Sequence, residues 1–398
     1  MPLIESRYRS LFLALFAVFA LYGTSMTIIG ATLPKILADF GWTYFVAGLV
    51  LGAGAVAYFC STFVAGYLVK HWGPKRTILL GLAVIASGLT FFAATPDALT
   101  NILLSALIGA GQGCVEIGVN WTTLRIDTAN TGRPMNLMHG AFAVGAILGP
   151  LTVGLLLKGG FDWVAVYRGM AAIFVLLGVL VVLLPMRISA AVPVEDGETP
   201  QRLSANPAYW LSFLALFFYV GVELGVSNWV AEYFVAVFAY PPADSALLVS
   251  LFWAGLLAGR FGVPLLYRGS RQEASLLGLS TLATASISAL CLLGFATPGA
   301  FTHAAGIALV FLSGLGCSIY YPAVITLLGS CFPHAQSQAI GFAATGGGVG
   351  SFVFPLLMSA LSQGWGIRAG FATYAVFAVV MTLAATGLVL SASKRRKC

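Results

Sequence analysis

Twelve apolar stretches follow one another along this chain, and each is long enough to cross a bilayer as a helix. No other feature constrains the fold so tightly. At 1.5 Å per residue, about 20 apolar residues cover the roughly 30 Å of hydrocarbon. The stretches lie at 10–33, 43–69, 77–95, 99–124, 136–157, 164–186, 207–235, 243–267, 274–296, 303–328, 337–362 and 367–391. Charged residues make up only 8% of the chain, against about 25% in a soluble domain. A soluble fold has no interior able to hide so much apolar side chain, so the chain reads as an all-α membrane protein. The first stretch, from Ser10, is too long and too lightly flanked for a cleaved signal peptide and reads as a retained span.

The longest polar break, 187–206, contains Glu195, Asp196, Gly197, Glu198 and Pro200. It divides the chain into a six-helix half at 1–186 and a second at 207–398, with 187–206 as a linker. If the N-terminus is cytoplasmic, sixteen of the 20 Lys and Arg fall inside, Arg7, Lys75, Arg76, Arg260 and Arg395 among them. Only Lys35, Lys158, Arg168 and Arg368 fall outside. This positive-inside bias places both termini and the linker in the cytoplasm. It also accounts for the formal charge of +7, because the basic residues sit in short breaks and form no phosphate-tracking surface. No nucleic-acid partner is expected.

A faint internal repeat agrees with the halving. Ala65-Gly66 answers Ala258-Gly259, Gly113-Cys114 answers Gly316-Cys317, and Gly149-Pro150 answers Phe354-Pro355. Both halves start inside, so the repeat is parallel, about an axis along the membrane normal. Halves of this kind enclose a central site that opens to each side in turn.

Most of the thirteen acids lie in breaks or near helix ends, but Glu116 and Glu223 sit deep in apolar surroundings. A carboxylate there is costly and points to function. Glu116 belongs to Gly109–Asn120, read as GAGQGCVEIGVN. Gln112, Glu116 and Asn120 recur every four residues and share one helix face, while Gly109, Gly111, Gly113 and Gly118 keep the other faces thin. The alternative is a polar knot pinning spans 4 and 5. Span 5 opens with Asn136 and His139, which the topology brings near the inner end of span 4. A His–Glu pair suits a proton relay or a substrate clamp; the plainer reading is a capping Asn and an interfacial His.

In span 7, Tyr219, Glu223 and Ser227 share a face, followed by Asn228 and Trp229. Carboxylate, amide and indole together suit a polyhydroxylated ligand. Trp229 also fits an interfacial aromatic belt. Tyr22, Trp253 and Tyr320-Tyr321-Pro322 read equally as cavity lining or packing. Six scattered cysteines form no CxxC pair, so neither a disulfide framework nor a metal site is expected. Gly346-Gly347-Gly348 lacks the Lys-Ser/Thr of a phosphate loop, no nucleophile–base set stands out, and no cofactor is expected.

Twelve spans in two parallel halves resemble the major facilitator superfamily. That superfamily carries Gly-x-Leu-x-Asp-Arg-x-Gly-Arg-Lys/Arg between spans 2 and 3. Here Gly66, Leu68, Gly73, Lys75 and Arg76 match, while Lys70 stands where the Asp is usual. The resemblance implies a gating role for Gly66, Gly73, Lys75 and Arg76. GCVEIGVN with MNLMHGAFAVGAILGP, and YVGVE in span 7, are similar to the fucose–proton symporter family, which includes a sodium-dependent glucose transporter branch. In fucose permease the matching glutamate is tied to proton coupling, a role the resemblance passes to Glu116, with Asn120 beside it. That permease also has an aspartate on span 1 where this chain has Gly30.

The sequence therefore predicts a non-enzymatic secondary active transporter of the cell inner (plasma) membrane, monomeric and working by alternating access. Glu116 and His139 are its expected coupling residues. Gln112, Asn120, Asn136, Tyr219, Glu223, Asn228 and Trp229 are the expected substrate contacts. The expected cargo is a small polar solute, a sugar foremost, and the coupling ion a proton or sodium. The rival is a proton-antiporting exporter of drugs or amphipathic metabolites on the same fold.

Overall fold

A computed structural model describes residues 4–127, 133–186, 203–266, 272–332 and 335–395. Thirteen α-helices build it: α1 (Arg9–Phe40), α2 (Tyr44–Trp72), α3 (Pro74–Phe91), α4 (Ala98–Ile126), α5 (Arg133–Lys158), α6 (Trp163–Leu183), α7 (Pro207–Phe238), α8 (Pro242–Leu266), α9 (Gln272–Leu293), α10 (Ala300–Cys317), α11 (Tyr320–Cys331), α12 (Gln336–Trp365) and α13 (Ile367–Arg395). Twelve helical segments are long and apolar enough to span a membrane. The expected linker lies outside the described residues as far as 202. Its remainder is a 3₁₀ turn, Leu203–Ala205, and the cap of α7.

Helix starts follow local chemistry. Thr43, Asp97, Asp162 and Asn206 are N-caps whose side chains accept from the backbone N–H of Val46, Thr100, Val164 and Ala208. The Asp97 carboxyl, held by its hydrogen bonds from Thr100, stays below the usual carboxylate value. α2 and α3 meet at Gly73, whose φ of 86° is readily adopted only by glycine. One expected helix differs: the tenth span is not continuous over 303–328. It breaks at Ser318-Ile319, between α10 and α11.

Contacts divide the chain into two units. One is Met1–Ala191 with Pro242–Ser250; the other is Val192–Pro241 with Leu251–Cys398. In the first, α4 is central because its glycines serve two neighbours. A Cβ on Gly109 would collide with the Gly54 carbonyl of α2, and one on Gly113 with Ser61 of α2. A Cβ on Gly111 would meet the Gly81 carbonyl of α3, and one on Gly118 would meet Ile78. α5 lays Gly145 against the Ala20 carbonyl of α1. α3 and α6 cap each other. Lys75 Nζ donates to the carbonyls of Val182 and Leu184, both at 2.8 Å, at the end of α6. Arg168 Nη1 donates to those of Leu89 and Phe92, both at 2.7 Å, at the end of α3.

The second unit packs α7 against α12 and α13. α8 closes on α10 through glycine, since a Cβ on Gly255 would strike the Phe311 carbonyl and one on Gly314 the Phe252 carbonyl. Arg368 Nε donates to the Gly294 carbonyl at 2.9 Å, just past α9, in the manner of Arg168 after α3. These two arginines extend the internal repeat beyond the pairs visible in the sequence.

Candidate functional site

The polar stripe of α4 faces α1 and α2. Gln112 is buried and its Nε2 donates to Ser25 Oγ at 3.0 Å; Ser25 in turn donates to the Tyr22 carbonyl at 2.7 Å. One turn on, Glu116 Oε2 accepts from Tyr22 of α1 at 3.4 Å and from Tyr58 of α2. A further turn on, Asn120 Oδ1 is buried with no hydrogen-bond partner among the described residues. Gln112 and Glu116 thus turn to α1 and α2, while the glycines seat α2 and α3.

Tyr22 also links the carboxylate to α5, its ring lying 5.2 Å from Phe142. His139 is exposed and sits edge-on to Phe19 at 5.6 Å, and Asn136 is exposed one turn before it. The hydroxyl donors to Glu116 are therefore tyrosines on α1 and α2. Tyr58 carries no local mark in the sequence, because it lies 58 positions from Glu116 in an unremarkable apolar run. Its signal is the Gly54–Gly109 approach, which sets α2 close enough for one tyrosine to reach α4.

The second unit holds a different polar group. Tyr219 donates to Glu223 Oε1 at 2.8 Å along the α7 face that the four-residue spacing predicts. The Tyr219 ring stacks on Tyr320 of α11, centroids 4.8 Å apart and planes within 6°. Tyr320 donates to the Met381 carbonyl at 2.6 Å. Ser227 accepts from Trp253 Nε1 at 2.8 Å. Trp229 is wholly buried, which removes it from an interfacial belt, and Asn228 is half-buried. Arg260, counted among the basic residues of the topology bias, lies within α8 with Nη2 3.9 Å from Glu223 Oε1.

Of the motif between spans 2 and 3, Gly66 faces open space, Gly73 forms the turn, Lys75 caps α6 and Arg76 is exposed. Among the described residues no cluster of His, Cys, Asp and Glu has the makings of a metal site.

Comparisons agree with this architecture. A glucose/galactose transporter of Brucella abortus is 24% identical over 384 residues, covering 92% of this chain and 91% of its own. Sodium-dependent glucose transporter 1A of Mus musculus is 21% identical over 305 residues, covering 67% of this chain and 71% of its own. The crystal structure of a D-xylose–proton symporter superposes with a TM-score of 0.75 at 15% identity, covering 96% of this chain and 97% of that one. That likeness shows the fold. The sequence pattern of the Major Facilitator Superfamily matches residues 15–302 and 275–397. With twelve apolar helices and a family match along nearly its whole length, this multi-pass membrane protein belongs to the Major Facilitator Superfamily of transporters.

Proposed function

We propose that the protein moves a monosaccharide across the cell inner membrane by alternating access, in symport with a proton carried by Glu116. Both termini are cytoplasmic in this reading. The observation that carries it is the placement of Glu116 in the middle of a spanning helix with tyrosine hydroxyls as donors. The names of the relatives supply the sugar.

An ionised carboxylate only accepts hydrogen bonds, and both tyrosines donate to Glu116. On taking a proton the group becomes a donor as well. Both tyrosines reach Oε2, so a proton taken on Oε1 leaves both bonds in place but turns a charged acceptor into a weaker, neutral one. Tyr22 belongs to α1 and Tyr58 to α2, so proton uptake alters how α4 is tied to both neighbours. That is the differential contact a coupled transporter needs between its states.

Asn120 offers an acceptor beside Glu116 for a sugar hydroxyl, and Gln112, fixed by Ser25, shapes the same face. Asn136 and His139 of α5 join these contacts in this reading, His139 lying edge-on to Phe19 of α1. In the second unit Glu223 and Asn228 supply polar contacts, with Tyr219 and Trp229 as the packed support behind them. Gly66, Gly73, Lys75 and Arg76 serve the α2–α3 turn during exchange of states.

Uptake of D-glucose or D-galactose into proteoliposomes, driven in turn by an inward proton gradient and an inward sodium gradient, tests this. The account expects accumulation with protons alone. Accumulation only with sodium, which the name of the mouse relative favours, transfers the coupling to that ion. Absence of both removes the sugar reading.

A further inference from the structure

Glu116 of α4 and Glu223 of α7, two acids inside spanning helices, have different surroundings. Glu116 is served by hydroxyls. Glu223 has a hydroxyl and a cation, and that cation is doing two things. Arg260 Nη2 stands 3.9 Å from Glu223 Oε1, while its Nε donates to the Ser318 carbonyl at 3.2 Å. Ser318 is the residue at which the tenth span breaks, between α10 and α11. A broken helix leaves carbonyls without their intrahelical partners, and these need a donor inside a membrane. Arg260 is that donor.

The sequence prepares this reach. Gly259 precedes Arg260, and a Cβ there would collide with the Ser318 side chain. Glycine lets α8 lie against the break, so the next side chain spans from the break to α7. Past the break, Tyr320 stacks on Tyr219, and Tyr219 donates to Glu223. The loop closes: Glu223, Arg260, the Ser318 carbonyl, Tyr320, Tyr219 and back to Glu223. Five residues, from α7, α8, the break and α11, thus form one ring, closed by the chain itself between Ser318 and Tyr320, with a single positive and a single negative charge.

We propose that Arg260 is a positioning residue of transport, which fixes the break in the tenth span through Ser318 and keeps Glu223 ionised as a hydrogen-bond acceptor for substrate hydroxyls. The proposal rests on the sugar-transport reading but separates the work of the two acids. Glu116 exchanges the proton, and Glu223 is held by Tyr219 and Arg260 as an acceptor. A planar guanidinium suits the task because it has donors on two edges, which a lysine ammonium lacks. The ionisable groups around Glu223 are Tyr219 on its own helix, Arg260 of α8 and Cys317 at the end of α10. Tyr320 of α11 lies behind Tyr219, and Tyr374 of α13 lies against Gly225. Arg260 is the only permanent charge in that set.

The test uses R260Q, R260K, E223Q and the double variant R260Q/E223Q in the full chain. The first readout is exchange of labelled D-glucose across proteoliposomes at equal pH on both sides, which needs no net proton movement. R260Q is expected to raise KM about tenfold or more, because it leaves a buried carboxylate without its counter-charge. Its KM is expected to worsen further as pH falls from about 8 to about 5.5, as Glu223 takes up a proton in the absence of the cation. That added slope is expected to be absent from E223Q, which keeps the wild-type profile set by Glu116, and R260K is expected to lose the break contact but return to that profile. A KM in R260Q with the wild-type pH profile overturns the proposal.

The second readout is thermal unfolding of the purified variants in detergent, which needs no substrate. The losses in R260Q and E223Q are expected to exceed the loss in the double variant when summed. Strict additivity overturns the proposal even if D-glucose is not a substrate. Failure of the sugar reading and failure of the Arg260 assignment are therefore told apart.

Discussion

The hydroxyl of Tyr58 on α2 donates to the carboxylate of Glu116 on α4, joining two helices at the height where glycine lets their backbones meet. Tyr22 of α1 donates to the same oxygen from a longer distance, 3.4 Å. Removing either hydroxyl leaves the other in place. Coupled sugar uptake is expected to fall about tenfold in Y58F and only a few-fold in Y22F, since a hydrogen bond to a charged group is worth roughly 1.5–3 kcal/mol when short and well formed. Initial rates under a fixed proton gradient measure the difference. Equal losses would show that the two tyrosines act alike.

The glycines of α4 make a prediction about stability. Gly109→Ala places a methyl group against the backbone carbonyl of Gly54, which no side-chain rearrangement relieves. Overpacking of this kind costs about 1–3 kcal/mol. Gly66→Ala meets nothing within 4 Å and is expected to be neutral in stability. Melting temperatures in detergent should fall clearly for the first and not for the second. A drop in G66A as large as that in G109A would contradict the packing described.

Lys75 and Arg168 cap each other's helices from opposite ends of the α3–α6 pair. Lys75→Met frees the carbonyls of Val182 and Leu184 and is expected to cost about 1 kcal/mol. Arg168→Met is expected to cost as much or more, because it leaves two carbonyls unpaired among partly buried residues. Thermal unfolding of the two single variants checks this. The matching contact of Arg368 with Gly294 predicts a similar loss in Arg368→Met.

Asn120 has an acceptor without a donor, one turn from Glu116. In the proposed function a sugar hydroxyl supplies that donor. Asn120→Ala is therefore expected to raise KM for D-glucose about fivefold with little change in kcat, as the loss of one neutral hydrogen bond would do. An unchanged KM would remove Asn120 from the substrate face.

Much of this was legible in the chain itself. Apolar length alone located all twelve spans, because a bilayer imposes it. The four-residue spacing of Gln112, Glu116 and Asn120, and of Tyr219 and Glu223, gave their common faces because an α-helix fixes that geometry. What stayed hidden depends on contacts between distant helices. Tyr58 has no local mark. Arg260 sits near the C-terminal end of α8, where it satisfies the charge bias of a topology count as well as it pairs with Glu223. The break at Ser318 falls in an apolar run whose only local sign is Tyr320-Tyr321-Pro322. The carbonyl it frees is answered by a side chain from another helix, which no periodicity foretells.

Glu116 carries the coupling proton in the proposed cycle. Proteoliposomes holding a pH-sensitive dye, given D-glucose from outside without any imposed gradient, test it most directly. The wild type is predicted to acidify the lumen as sugar enters. E116Q is predicted to exchange labelled glucose while its lumen stays at constant pH. Acidification by E116Q at the wild-type ratio of protons to sugar would contradict the account.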